Sequence, residues 1–416
     1  MDVIVLGLML LSLTIWLGLL CFWGQFWRTD QQLEVTETQL ESLPVVCAVV
    51  PARNEAELIP TSLRSLLLQD YPGSFNVFLV DDRSTDRTAN FAEGVAHAVG
   101  KPQQLHIISG VSLPPGWSGK LWAVEQGIKS ASKFAPDYFL LTDADIEHDP
   151  GNLRRLVAKA VEEDLDMVSV MVRLRCESFW EKLLIPAFVF FFQKLYPFRW
   201  VNNPNNPTAA AAGGSILIAR EALERIGGIQ VIRQALIDDC ALAMAVKKSR
   251  GAGEQGRRGD KENNHAHNAQ HLIPSQGRIW LGLSSLTRSL RPYDSLATIW
   301  DMVARTAYTQ LNYSPLLLLG TLVGMPLIYL APPICVILGA VWSNWAIALT
   351  GLLGWLLMTF AYYPTIRFYK CSPWLAFSLP AIAFLYTLMT LDSALRHWQG
   401  RGGAWKGRVY PSSDNL

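Results

Sequence analysis

Three patterns of apolar residues divide this chain. Val3 to Trp23 is an almost uninterrupted hydrophobic run, and a bilayer crossing needs roughly 20 such residues. The run lacks a basic start and a small-x-small cleavage site, so it is read as a retained N-terminal transmembrane anchor (residues 1–27) rather than a signal peptide. Residues 44–312 carry short apolar runs separated by polar clusters and amphipathic stretches. From Pro315 to Leu391 the chain turns hydrophobic again, with spans expected near 315–337, 344–363 and 375–394. These make a C-terminal transmembrane region (313–395), followed by a basic tail (396–416).

Asp2 precedes the anchor and Arg28 follows it, so the bias of basic residues toward the cytoplasm puts the middle region on the cytoplasmic side. Three further spans would then leave Arg396, Arg401, Lys406 and Arg408 outside, against the same bias. A fourth C-terminal crossing, or a re-entrant piece around Pro332-Pro333, would restore agreement.

The middle region alternates strand and helix signals. Strands are expected at Val45–Val50, Asn76–Val80, Leu105–Ile108, Tyr138–Thr142, Met167–Val172 and Ser215–Ala219. They are short and apolar on both faces, as in a parallel sheet covered by helices. Helices are expected at Glu57–Leu68, Thr85–Ala98, Lys120–Ser132 and Asn152–Glu162, with Ser84 or Thr85 capping the second and Ser118 the third. This alternation predicts a doubly wound α/β domain, whose ligands bind beyond the carboxyl ends of the strands.

Two stretches depart from the alternation. Phe179 to Trp200 is rich in aromatic residues with Lys182, Lys194 and Arg199 interleaved, which suits either a buried helix or one lying in the membrane interface. Ser249 to Gln276 is polar, with little that could form a core, and reads as an insertion. Its His265, His267 and His271 have metal-ligand character but fit a solvated loop better.

Composition narrows the function. A net charge of +1 gives no reason to expect a nucleic-acid partner. Six scattered cysteines without a Cys-x-x-Cys pair indicate neither a zinc site nor a disulfide framework and fit a reducing compartment.

The candidate chemistry lies at the strand ends. Asp143-Ala144-Asp145 follows the run Tyr138–Thr142, and two carboxylates one residue apart can converge on one hard divalent cation. Pro51-Ala52-Arg53-Asn54-Glu55 follows the first strand, and Asp81-Asp82 the second; their carboxylates can accept hydrogen bonds from a base or ribose, or cap a helix. Gly116-Trp117-Ser118-Gly119-Lys120 could meet phosphate through Lys120, but its spacing is not that of a P-loop, which disfavours a nucleotide triphosphatase. Asp238-Asp239 opens an expected helix over Cys240–Lys248 and is either an N-cap or a general base. The four clusters that carry carboxylates, at 51–55, 81–82, 143–145 and 238–239, are what a nucleotide-sugar transferase would need.

Together Pro51–Glu55, Val80-Asp81-Asp82, Gly119-Lys120, Asp143-Ala144-Asp145 and Asp238-Asp239 resemble the family 2 inverting glycosyltransferases. Trp117–Ala123 and Trp300–Ala307 look like the bacterial hopanoid-biosynthesis-associated (hopene-associated) glycosyltransferase, a relative of ceramide glucosyltransferases. That resemblance implies a GT-A fold, a nucleotide-diphosphate sugar donor (a UDP-sugar first), Mg²⁺ or Mn²⁺, and a lipid acceptor such as a hopanoid. It implies donor contacts at Pro51, Arg53, Glu55, Asp81, Asp82, Lys120, Asp143 and Arg305, and metal contacts at Asp143 and Asp145. It makes Asp239 the base, with Asp238 where relatives often carry Glu. Processive relatives carry Gln-x-x-Arg-Trp; here the segment is Met302-Val303-Ala304-Arg305-Thr306, which keeps only the Arg and argues against a long polymer.

The expectation is therefore a multi-pass enzyme of the bacterial inner (cytoplasmic) membrane, its catalytic domain (44–312) facing the cytoplasm. It would move one sugar to a lipid hydroxyl. The alternatives are a polyprenyl-phosphate glycosyltransferase, a processive polysaccharide synthase, and a non-enzymatic membrane scaffold with a degenerate transferase domain. A transporter is disfavoured because the spans carry almost no internal ionisable residues.

Overall fold

Helix α1 (Asp2–Phe22) takes up the first apolar run. The structure, a computed structural model, describes residues 2–33, 43–258, 277–401, 404–405 and 408–409. The three histidines at 265, 267 and 271, and Lys406, lie outside the described residues. The chain forms two compact units. One comprises Gln31–Leu174 and Trp200–Arg291; the other comprises Met1–Asp30, Arg175–Arg199 and Pro292–Leu416. The aromatic stretch at 179–199 and residues 292–312, expected within a single α/β domain, cluster with the apolar helices instead.

The first unit is built on one eight-stranded sheet. Its strands are β1 (Val46–Ala52), β2 (Phe75–Asp81), β3 (Leu105–Ser109), β4 (Tyr138–Thr142), β5 (Ile146–Glu147), β6 (Met167–Arg173), β7 (Ser215–Ala219) and β8 (Ile279–Ser289). The order is β3-β2-β1-β4-β7-β6-β8-β5. The four strands from β3 to β4 are parallel, but β7 runs antiparallel to both β4 and β6. The wholly parallel sheet expected from the sequence is thus a mixed one, since apolar runs mark strands without marking their direction.

Helices α2 (Ile59–Leu67), α3 (Thr88–Ala98), α4 (Gly119–Ala131) and α5 (Asn152–Glu162) connect the first strands. The next two, α6 (Phe179–Leu195) and α7 (Phe198–Val201), precede α8 (Arg220–Arg225) and α9 (Asp238–Arg258). The sheet core gathers Val46, Ala48, Val50, Val77, Leu79, Leu140, Val168, Val170 and Leu217 against Leu63, Leu67, Leu153 and Leu156 of α2 and α5. Helix α4 lies so close to the sheet that a Cβ on Gly127 would sit 2.4 Å from Val49 Cγ1, which only glycine avoids.

Two expected caps resolve differently. Ser118 caps α4, its hydroxyl accepting from the Leu121 N–H at 3.3 Å. Neither Ser84 nor Thr85 caps α3; that helix starts later, at Thr88, and its first N–H donates to Asp86 Oδ1. Helix α9 runs past the expected Lys248 to Arg258, so the first ten residues of the polar insertion continue a helix.

The second unit is helical. Besides α1 and α6 it holds α10 (Leu296–Ala304), α11 (Ala307–Gln310), α12 (Pro315–Met325), α13 (Ala331–Val341), α14 (Trp345–Phe368) and α15 (Leu379–Trp398). A π-helical turn at Pro326–Leu330 joins α12 to α13 without a break, so Pro332-Pro333 forms no re-entrant piece. Pro332 and Pro333 follow directly on the π-helical turn, the local departure from α geometry that goes with two residues lacking an N–H donor. Among the described residues four helical stretches are long and apolar enough to cross a membrane: Asp2–Phe22, Pro315–Val341, Trp345–Phe368 and Pro373–Trp398.

Of the two readings of the aromatic stretch, helix α6 shows the buried helix along one face. Leu184, Ala187 and Phe190 are buried in a core with Met358, Tyr362 and Tyr386, while Phe179 and Leu195 are exposed. A Ser178–Glu181 capping box starts it. The fully buried Glu181 accepts from the N–H groups of Glu177, Ser178 and Tyr293, each at 2.8 Å, and from Arg175 Nη1 at 3.0 Å. Burial alone would raise its pKa, but those donors hold it below the ordinary glutamate value. Glu181→Ala is expected to destabilise the protein by about 3–5 kcal/mol, the cost of breaking a buried ion pair, read as an early thermal transition in detergent. Glu181→Gln, which keeps an acceptor, should lose less.

Candidate active site

The strand register brings the polar clusters to one edge of the sheet. Ala52 pairs with Asp81, and Val49 with Leu141, so the chain leaves β1, β2 and β4 at one level. The antiparallel β7 enters from the opposite direction, with Ser215 paired to Thr142, which sets Gly213 and Gly214 beside the Asp143–Asp145 turn.

The two loops after β1 and β2 are laced together. Asn54 adopts a left-handed conformation (φ 51°), which asparagine tolerates better than most residues. Its side-chain oxygen accepts from the Thr85 N–H at 2.8 Å, while its own N–H donates to Ser84 Oγ at 2.9 Å. The Glu55 N–H donates to Thr88 Oγ1 and the Ala56 N–H to Asp86 Oδ2, both at 2.9 Å. Arg53 Nη1 donates to the Asp82 carbonyl at 2.6 Å and stands 3.7 Å from its carboxylate. Asp81 accepts from the Ser84 N–H at 3.0 Å and so closes a turn. Asp82 is buried.

Two cations organise the carboxylates. Lys120, in the first turn of α4, lies 2.9 Å from Asp143 Oδ1 and 3.1 Å from Asp238 Oδ2. Desolvation would lower its pKa, but Asp143 and Asp238 hold the ammonium above the usual lysine value. Arg291, just past β8, donates from Nε to Asp145 Oδ2 at 2.7 Å and from Nη2 to Glu55 Oε1 at 2.6 Å. Sequence reasoning missed Arg291, because β8 opens apolar at Ile279–Leu283 but ends in Ser284–Ser289, a mixed stretch that gave no apolar strand end from which to look for it.

Asp239 stands at the start of α9. Its Oδ2 accepts from the Gly213 N–H at 2.9 Å and its Oδ1 from the Cys240 N–H at 2.7 Å. Burial, then the charge of Asp238, push its carboxyl up to about 6, against the pull of Lys120 and the two N–H groups. Burial likewise raises Asp143, with Lys120 opposing. A carboxylate poised near neutrality suits a general base.

Behind the pair Asp143–Asp145 lies a neutral histidine. Burial holds His148 down to about 4. Thr142 Oγ1 donates to the Gly214 carbonyl at 2.7 Å, so at 3.0 Å it accepts from His148 Nε2, leaving Nδ1 to accept from Asn152 Nδ2 at 3.0 Å. This chain fixes the turn that carries the two aspartates.

The result is an open cleft lined by the charged Lys120, Asp143, Asp238 and Asp239 together with Pro51 and the apolar Leu121, Ile229, Ile232 and Leu242. The α/β unit thus gathers Pro51, Lys120, Asp143, Asp238 and Asp239 in one cleft and joins Glu55 to Asp145 through Arg291. Arg53, Asp81 and Asp82 shape the neighbouring loops. Arg305 belongs to the helical unit, where its N–H closes the end of α10 on the Asp301 carbonyl.

Residues 47–227 match the family described as Glycosyl transferase family 2. Over 151 residues the chain is 31% identical to an undecaprenyl-phosphate 4-deoxy-4-formamido-L-arabinose transferase of Enterobacter sp. (strain 638), covering 35% of this chain and 42% of that protein. Over 124 residues it is 32% identical to an uncharacterized protein of Methanocaldococcus jannaschii, covering 29% and 44%. The chain therefore spans less than half the length of these curated relatives. A mannosyltransferase from Pyrobaculum calidifontis, solved in complex with GDP-Man and Mn²⁺, matches 95% of this chain and 99% of its own with a TM-score of 0.51 at 16% identity. That likeness is one of fold: a GT-A type α/β sheet accompanied by apolar helices.

Proposed function

We propose, from the family 2 glycosyltransferase domain over residues 47–227, that the protein is a membrane-bound inverting glycosyltransferase. It moves one sugar from a nucleotide-diphosphate donor to a lipid hydroxyl. The observation that carries this reading is Asp239, a carboxylate held by the Gly213 and Cys240 N–H groups in a cleft lined by both acidic and apolar residues, with its carboxyl pushed up to about 6. A sugar-accepting hydroxyl needs its proton taken, and one positioned base implies a single direct displacement with inversion. The apolar residues Leu121, Ile229, Ile232 and Leu242 suit an acceptor with a hydrocarbon body.

Asp143 and Asp145 offer hard oxygen donors of the kind Mg²⁺ and Mn²⁺ take. Asp143 and Asp145 would hold such an ion, with the donor's diphosphate supplying further oxygens. The bound ion would neutralise charge on the departing diphosphate. Phosphate oxygens would replace the carboxylate partners of Lys120 and Arg291, and the sequence resemblance supports nucleoside contacts at Glu55 and Asp82. A UDP-sugar donor, a hopanoid acceptor and a site in the bacterial inner membrane facing the cytoplasm are supported by the sequence resemblance.

The Enterobacter relative gives one rival, an anionic polyprenyl-phosphate acceptor, which needs no strong base. The test is transfer from a panel of labelled nucleotide sugars into extracted lipids and into polyprenyl phosphate, with and without Mg²⁺ or Mn²⁺. Labelled lipid that needs both Asp239 and the ion supports the hydroxyl reading. Transfer to polyprenyl phosphate that survives Asp239→Asn replaces it with the rival. Because the base must be ionised, kcat/KM should climb with pH through about 6 and level off above it. A flat profile across that range would remove Asp239 from the proton transfer.

A further inference from the structure

We propose that the chain crosses the membrane three times and that Pro373–Trp398 is a re-entrant hairpin. It enters one leaflet and returns, so the C-terminal tail lies on the face where α1 ends and α12 begins. Length and hydropathy alone would make this segment a fourth crossing (26 residues, mean hydropathy 1.7). The contacts inside the helical unit argue otherwise.

They first define two faces. Asn344, before α14, donates to Asp2 Oδ2 at 3.3 Å, and Met9 of α1 packs with Cys335 of α13 and Ile347 of α14. Helices α1 and α14 therefore start together and run parallel, with α13 arriving antiparallel. Trp342 and Trp345 are exposed at this first face, as interface anchors are. Further along, Trp27, past the end of α1, stacks 5.2 Å from Phe360 of α14. Both helices thus finish at the second face, where Cys371 Sγ lies 3.7 Å from Cys176 Sγ, just before α6.

After α14 the chain folds back along it. Trp355, near the middle of α14, donates from Nε1 to the Phe377 carbonyl at 3.2 Å, and the two rings lie 6.1 Å apart. The 3₁₀ segment Pro373–Ser378 has therefore descended to half depth when α15 begins. Helix α15 then climbs back. Tyr386 donates to the Leu184 carbonyl at 2.9 Å, and Ala394 packs with Leu318 in the second turn of α12. At its end His397 stacks 4.4 Å from Tyr313, and Arg396 pairs with Asp301 at 2.8 Å. Helix α15 packs along α12 and the π turn; the distal half of that span, α13, packs on α1 and α14 instead.

Two physical requirements are met. Backbone at membrane depth must find its hydrogen bonds within the protein, and the 3₁₀ segment is held by Ala376 and Leu379, buried in the core that holds Met358, Ala361 and Tyr362, while Trp374 and Phe377 turn their apolar rings outward. Charge also agrees. No Lys or Arg occurs in residues 1–27 or between Arg305 and Arg367, the stretches that reach the first face. Arg367, Lys370, Arg396 and Arg401 flank the hairpin at the second. Three crossings thus satisfy the rule that four would violate.

The test uses the full-length chain without its native cysteines, carrying one cysteine at a time: Ser343→Cys, Lys370→Cys or Ser413→Cys. A membrane-impermeant maleimide is applied to sealed vesicles of each orientation. The expected result is that Ser343→Cys reacts from one side, and Lys370→Cys and Ser413→Cys from the other. Labelling of Ser413→Cys from the same side as Ser343→Cys would overturn the proposal. Protease removal of a C-terminal epitope from the otherwise unchanged chain, in the same two vesicle orientations, reads the tail's side without cysteine replacement and must agree.

Discussion

Replacing Asp239 by Asn is expected to lower transfer to a lipid hydroxyl by about 10²–10⁴-fold, the range a positioned general base supplies. Donor binding and folding should survive. The amide keeps an oxygen for one of the two N–H groups, of Gly213 and Cys240, that the carboxylate now serves. The sign of the stability effect separates loss of chemistry from loss of fold. A carboxyl raised to about 6 is favoured by the fold in its protonated form, an advantage present at low pH and lost as pH rises through 6. At pH 7–8 the charge beside Asp238 works against folding, so the neutral amide should leave thermal stability equal or slightly higher. Calorimetric donor binding, a melting curve and the transfer assay on one preparation decide the matter. Transfer within a few-fold of the parent would end the base assignment.

Lys120→Met should do damage of a different kind. The ammonium holds Asp143 and Asp238 together and faces Asp239, so its removal leaves three neighbouring carboxylates without that cation. Removing one partner of a buried pair costs about 3–5 kcal/mol; Lys120 is one-fifth exposed, so about 1–3 kcal/mol is expected here. Donor affinity should fall with stability, because the diphosphate loses a cation. The pH profile gives the distinctive signature. Lys120 pulls the Asp239 pKa down, so without it the rising limb of kcat/KM moves above pH 6. Lys120→Arg, which keeps the charge, should restore most of the limb's position. A variant that binds donor weakly but keeps the parent's pH profile would place Lys120 in donor binding alone.

The sheet's parallel half was legible because β1, β2 and β4 are buried on both faces and carry apolar runs that end in polar residues, while the half-exposed edge strand β3 still carries Leu105, Ile107 and Ile108. The candidate carboxylates were found through those endings. Strand direction has no comparable local signal, so the reversal of β7, which brings Gly213 to Asp239, could not be read. Strand β8 alternates buried and exposed positions near its end and carries Ser, Thr and Arg, so it and Arg291 beyond it escaped notice. The membrane segments were legible as hydrophobicity but not as depth. Whether Pro373–Trp398 crosses or returns depends on Trp355 and Leu318, partners far away in sequence. The caps show the same limit on a small scale: Asp86, not Ser84 or Thr85, serves the start of α3, because those two residues are engaged with Asn54.

The chain passes between its two units four times, and this has a consequence during synthesis. Helix α6 is made early, yet its partners come last: the Tyr386 hydroxyl reaches the Leu184 carbonyl across 202 positions, and Trp16 reaches the Ile328 carbonyl across 312. Until the ribosome has released α14 and α15, the apolar face of α6 has no protein neighbours from that end of the chain. Non-local contacts of this kind delay completion and leave hydrophobic surface uncovered in the interval. Covering α6 therefore waits on the last helices made, and early insertion of α1 would leave its apolar face at a lipid surface in the interval.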